Sequence, residues 1–151
     1  MAREKFVYVT YIRTTIDRLW EALTASDFTR AYWYGTVHET DWKEGSSWKL
    51  LMPNGEVADS GKVLEIDKPR RLVLSWRNEF KPELRAEGYS RATFLLEAAG
   101  TAVKLTVEHE MDRTGSKLIE GVSNGWPRIL SSLKSLLETG TSFDETRHWP
   151  K

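Results

Sequence analysis

Hydrophobic and polar positions alternate along "FVYVTYIR" (6–13), and its β-branched and aromatic residues predict a first strand. The period then lengthens. "DRLWEALTA" (17–25) sets Leu19, Trp20 and Leu23 at helical spacing, with Ser26 and Asp27 closing the helix. A second short helix is expected through "DFTRAYWYG", ending at Gly35. Beyond it the strand period returns. "DWKEGSSWKLL" is a Gly-Ser turn leading into a strand, and "GEVADSGKVLEID" is a longer strand in which Gly61 marks a bulge or bend. "KPRR" reads as a turn between strands, with Pro69 presetting its backbone angle. "RLVLSWRNEF", "YSRATFLLEA" and "AVKLTVEHEM" follow as strands, the last two joined by the tight turn "AGT".

Strand parity nominates one apolar face. Val103, Leu105, Val107 and His109 share a side, opposite Lys104, Thr106 and Glu108. Leu72, Leu74 and Trp76 likewise oppose Val73 and Ser75, and Trp48 is in phase with Leu50. A sheet with one such face has to be covered, and the chain supplies one long amphipathic segment to do it. From Leu118 the apolar positions are 118, 119, 122, 126, 129, 130, 133, 136 and 137. These steps of three and four run straight through Gly125-Trp126-Pro127, although glycine and proline are the poorest helix formers. Continuous phase favours a single helix bent where Pro127 excludes the carbonyl of Ser123. The alternative is a helix start with Asn124 as N-cap and Pro127 in the first turn. In both descriptions Trp126 faces the sheet. The fold class is therefore α+β: one strand, two short helices, about six more antiparallel strands, then the long helix. Residues 1–140 form the expected single domain, and 141–151 a polar, loosely held tail whose Trp149 either docks back on the domain or is exposed.

Composition narrows the chemistry. The 22 Lys and Arg balance the 22 Asp and Glu, so net charge gives no support to nucleic-acid or membrane binding. With no cysteine there is no disulfide scaffold, thiolate nucleophile or cysteine-ligated metal. The N-terminus has no apolar run suited to a signal peptide, and no stretch is long enough for a membrane span, so a cytoplasmic protein is the expectation. Seven tryptophans are many for 151 residues. They can fill a core or line a cavity.

Catalytic motifs are absent. No Gly-x-Ser-x-Gly elbow or phosphate-binding Gly-rich loop occurs, and no local pattern couples a serine to His38, His109 or His148. His38 and Asp41 fall in an expected loop without a third ligand, so neither a metal nor a cofactor is expected. His109, the one histidine on the inward strand face, is either a hydrogen-bonded core residue or a polar group orienting a cavity ligand. Glu56 and Asp59 fall on opposite faces of their strand, and both are expected to be solvated.

Five segments in order, "IRTTIDRLWEALT", "DWKEGSSWKL", "GKVLEIDKPRRLVLSW", "RATFLLEAAGTAVKLTVEH" and "GWPRILSSLKSLL", cover most of the chain. In this order and spacing the chain resembles the activator-of-heat-shock-protein-90-ATPase homologue family of the START-like, birch-pollen-allergen-like (SRPBCC) superfamily. The resemblance implies a helix-grip fold, with a curved antiparallel sheet around the C-terminal helix and a cavity between them. It places Trp33, Tyr34, Trp42, Trp48, Trp76, His109, Trp126 and Leu130 around that cavity, with Tyr32 and Tyr34 at its entrance. The expected function is non-enzymatic binding of a hydrophobic, aromatic or lipid-like small molecule. The resemblance also implies two alternatives: co-chaperone action on heat shock protein 90, and a polyketide cyclase, hydrolase or self-resistance function. Monomer and homodimer are both compatible with the sequence.

Overall fold

The computed structural model describes residues 3–150. Seven strands, β1 (Glu4–Ile12), β2 (Val37–Thr40), β3 (Ser47–Leu51), β4 (Val57–Asp67), β5 (Arg71–Asn78), β6 (Ser90–Ala99) and β7 (Ala102–Met111), form one antiparallel sheet. Their spatial order is β1-β7-β6-β5-β4-β3-β2. Helices α1 (Ile16–Thr24) and α2 (Ser26–Tyr32) connect the two edge strands, and the four-residue α3 (Pro82–Arg85) sits between β5 and β6. The long α4 (Lys117–Thr139) packs across the sheet, mainly against β1 and β7. This is the helix-grip arrangement of a curved sheet closed by its C-terminal helix.

Local chemistry fixes the helix ends. The Thr15 hydroxyl accepts a hydrogen bond from the Arg18 amide and starts α1. Ser116 does the same for Ile119 at the start of α4, where the Glu87 carboxylate also accepts from the Lys117 amide. A carboxylate at this end is favoured by the helix dipole. Gly140, in the left-handed region at φ 87°, closes α4 by donating its N–H to the Leu136 carbonyl.

Between those caps α4 is unbroken, with Pro127 inside it. Continuous apolar phase therefore identified one helix, and the alternative start at Asn124 does not occur. Leu118, Ile119, Trp126, Ile129, Leu130 and Leu133 are buried by it. Two other expectations need correction. His38 lies on β2, not in a loop, because the turn begins only after Thr40. The segment after α4 is held down: the Thr146 hydroxyl is buried against the Ser132 hydroxyl at 2.6 Å, and a 3-10 turn spans Asp144–Thr146.

Gly61 allows β4 to lie unusually close to its neighbour β5. A Cβ there would lie 1.8 Å from the Ser75 carbonyl oxygen, so a side chain would force the strands apart. The β3–β4 register shifts between Leu50 and Leu51, and the β4–β5 register shifts between Val63 and Glu65. Such irregularities locally increase a strand's twist and bend.

Candidate ligand cavity

Five tryptophans, Trp20, Trp33, Trp48, Trp76 and Trp126, belong to one hydrophobic core. Four of them form a continuous aromatic surface. Trp33 stacks on Trp76 with centroids 6.1 Å apart, and Trp126 meets both edge-on at 5.4 and 5.6 Å. Trp48 lies 4.6 Å from Trp76 on the other side. A buried indole N–H needs an acceptor, and three of these rings have one. Trp48 donates to His38 Nδ1 at 3.0 Å, Trp126 to His109 Nδ1 at 3.2 Å, and Trp76 to Asp59 Oδ1 at 2.9 Å.

The partners define the histidine protonation. Accepting at Nδ1 leaves Nε2 to carry the proton, which His38 directs at the Leu23 carbonyl, 2.9 Å away. His109 Nε2 meets the Ser90 hydroxyl at 2.7 Å, and that hydroxyl in turn donates to the Trp76 carbonyl. Both imidazoles are neutral. Burial lowers His109 to about 3; it also lowers His38 to about 4, against the raising effect of its bond to Leu23.

Asp59 is the opposite case. It is 8% exposed, and burial raises its carboxyl to about 7 although the Trp76 hydrogen bond opposes the shift and the nearby charge of Glu79 adds to it. The expectation that Asp59 is solvated is therefore wrong. It shares strand phase with Gly61 and buried Val63, and that phase was the available sequence signal.

Asp59 opens on a cavity of about 200 Å³ between α4 and the sheet. Trp33, Trp76 and Trp126 line it, together with Leu50, Val122 and Ile129. Gly121 and Gly125, one helical turn apart on α4, complete the helix side. A Cβ on either would meet nothing within 4 Å, so these glycines leave room in the cavity. At the rim stand Tyr34, Phe80, Lys81 and Trp149. Trp149 packs edge-on against Phe80 at 5.1 Å, so the C-terminal segment forms part of the entrance. Tyr34 has φ 53°, an uncommon conformation for a bulky residue, and its amide is held by the Thr146 carbonyl at 2.6 Å.

A family model described as activator of Hsp90 ATPase homolog 1-like protein matches residues 13–138. The chain belongs to this family. Its fold is also that of several solved structures. CalU16 from Micromonospora echinospora is 24% identical, with a TM-score of 0.73, over 94% of this chain and 78% of that one. ChR145 from Cytophaga hutchinsonii is 28% identical, also with a TM-score of 0.73, over 93% of this chain and 98% of that one. An HSP90 activator from Plasmodium falciparum is 23% identical, with a TM-score of 0.70, over 88% of this chain and 95% of that one. No curated protein sequence matches significantly.

In this family member the residues singled out from sequence divide into three groups. Trp33, Tyr34, Trp76 and Trp126 line the cavity. Trp48, His109 and Leu130 are sealed in the core behind it, His109 and Trp48 at 0% exposure. Trp42 packs edge-on against His38 at 5.0 Å and faces a separate surface cleft with Asp17, Trp20 and Lys68. Tyr32 is not at the entrance. It is fully buried, its hydroxyl donating to the Ala22 carbonyl at 2.9 Å. Sequence reasoning missed Asp59, the two helix glycines and the Trp149 rim. Among the described residues no three His, Asp or Glu side chains assemble into a metal site. No helix among them is long and apolar enough to cross a membrane.

Proposed function

We propose that this protein binds a small hydrophobic or aromatic molecule in the cavity between α4 and the sheet. The observation that carries this reading is an open space walled by three indoles and provided with one buried, ionisable carboxyl. Binding pockets characteristically combine apolar walls with a few placed polar groups. The helix glycines support the same reading, since each costs about 1 kcal/mol in a helix interior and neither is demanded by a close contact. Titration with a panel of small aromatics, flavonoids and fatty acids is expected to shift and quench tryptophan fluorescence, and Trp126→Ala to remove the response. A flat titration across the panel would overturn the reading.

Family membership favours a second reading, in which the outer surface acts on a chaperone. That reading predicts faster ATP turnover by heat shock protein 90 in the presence of this protein. No stimulation at saturating protein would remove it.

A further inference from the structure

Among the described residues Asp59 is the one carboxyl on the cavity wall, and it is only half satisfied. Its Oδ1 accepts the Trp76 indole proton, whereas Oδ2 receives no hydrogen bond from the described residues. No fully buried side-chain oxygen or nitrogen among those residues lacks a partner, so Oδ2 is the oxygen left facing the open space. A carboxylate withdrawn from water and beside free volume calls for a donor, and a charged donor satisfies it best. The neighbouring indoles act in the same direction, because their faces attract cations while their bodies take apolar groups. The space of about 200 Å³ is below the roughly 300–1,000 Å³ of pockets for drug-sized ligands, which limits the occupant to one or two rings.

We propose that the cavity selects a small amphiphilic amine, its protonated nitrogen on Asp59 Oδ2 and its apolar body against Trp33, Trp76 and Trp126. This rests on the ligand-binding reading above and narrows it to a chemical class. The charged surroundings permit it. β3 presents Leu50 to the cavity, β5 presents Trp76 and Asn78, and the α4 wall carries no charged side chain. Glu79 adds negative potential, although Arg77 and Arg85 pair with it. Lys81 is the opposing charge, but it is exposed at the rim, where solvent screens it, with its ammonium 5.8 Å from the Phe80 ring centre. Tyr34 is the other titratable side chain on the wall.

Binding of an amine then depends on the ionised carboxyl. Asp59 titrates at about 7, while an alkylamine stays protonated throughout this range, so affinity falls as the pH drops below neutrality. Calorimetric titration of the full-length protein with 2-phenylethylamine, 2-phenylethanol and 3-phenylpropanoate tests this. At pH 8 the amine is expected to bind at least about tenfold tighter than the alcohol, and the carboxylate weakest. Moving to pH 5.5 is expected to weaken the amine by about tenfold or more and to leave the alcohol nearly unchanged. Asp59→Asn is expected to abolish the preference for the amine while keeping the alcohol's affinity. Equal binding of amine and alcohol, or tightest binding of the carboxylate, would overturn the amine assignment and leave ligand binding intact. Failure of all three to bind at millimolar concentration would overturn the amine assignment, and a flat fluorescence titration across the wider panel would overturn ligand binding as well. The pH series on the wild-type protein decides the question even if the Asp59 variant does not fold.

Discussion

Trp76 and Trp126 stand on the same aromatic wall, 5.6 Å apart, yet their indole protons end on unlike acceptors. Trp126 donates to His109, which passes its own proton towards Ser90 and is closed off from solvent. Trp76 donates to Asp59, whose second oxygen faces open space. A neutral imidazole satisfies a buried N–H at little electrostatic cost, because it never has to carry charge. A carboxyl in the same role either keeps a proton it would otherwise lose or bears a poorly solvated charge. The core therefore uses the inexpensive acceptor where the space is filled, and the costly one only where the wall opens. This difference puts Asp59 on the cavity wall and leaves His109 sealed in the core.

The largest expected effect tests the sealed side. His109→Leu leaves the Trp126 N–H and the Ser90 hydroxyl without their partner in a dry core. The loss is expected to be about 2–5 kcal/mol in chemical denaturation. The open side is expected to respond in the opposite direction. With its carboxyl raised from 3.8 to about 7, folded Asp59 holds its proton while the unfolded chain loses it. Its contribution is complete below pH about 4 and is lost as pH rises to about 7. Asp59→Asn keeps an acceptor for Trp76 and is expected to gain about 1–3 kcal/mol at pH 8, with little change at pH 4.

The pH profile sharpens the same contrast. His38 and His109 have lowered values, so their stabilising contribution is present above about 6.5 and declines as the pH falls towards 4 and 3. Asp59 opposes this slope between pH 4 and 7. Denaturation curves at successive pH values are therefore expected to fall more steeply on the acid side for Asp59→Asn than for the wild type, by about one proton. The smallest effect belongs to the helix wall. Gly125→Ala has room for its methyl group and is expected to raise stability by about 0.5–1 kcal/mol. Because that methyl enters the cavity, the same substitution is expected to weaken ligand binding, and calorimetry reads both effects from one protein.

How much of this was legible in the sequence follows from what each feature depends on. The single helix through Gly125, Trp126 and Pro127 could be read because phase is a local property, and three- and four-residue steps survive one missing amide. The inward face of β7, including His109, followed from parity because that strand pairs in regular register with β1 and β6. Asp59 escaped because its charge suggested solvent, whereas its burial depends on long-range neighbours, among them Trp76 on β5, which donates to it. His38 escaped because β2 is four residues long, too short for alternation to identify it. The Trp149 rim depends on a segment far along the chain folding back on Phe80, and no local pattern encodes that.

The most direct test is the carboxyl titration of Asp59 by carbon NMR, with and without 2-phenylethylamine. The predicted result is a midpoint near 7 in the free protein, moving to lower pH as the amine is added, while His109 stays neutral throughout. A midpoint near 4 that the amine leaves unmoved would contradict the claim that a buried carboxyl faces a ligand cavity.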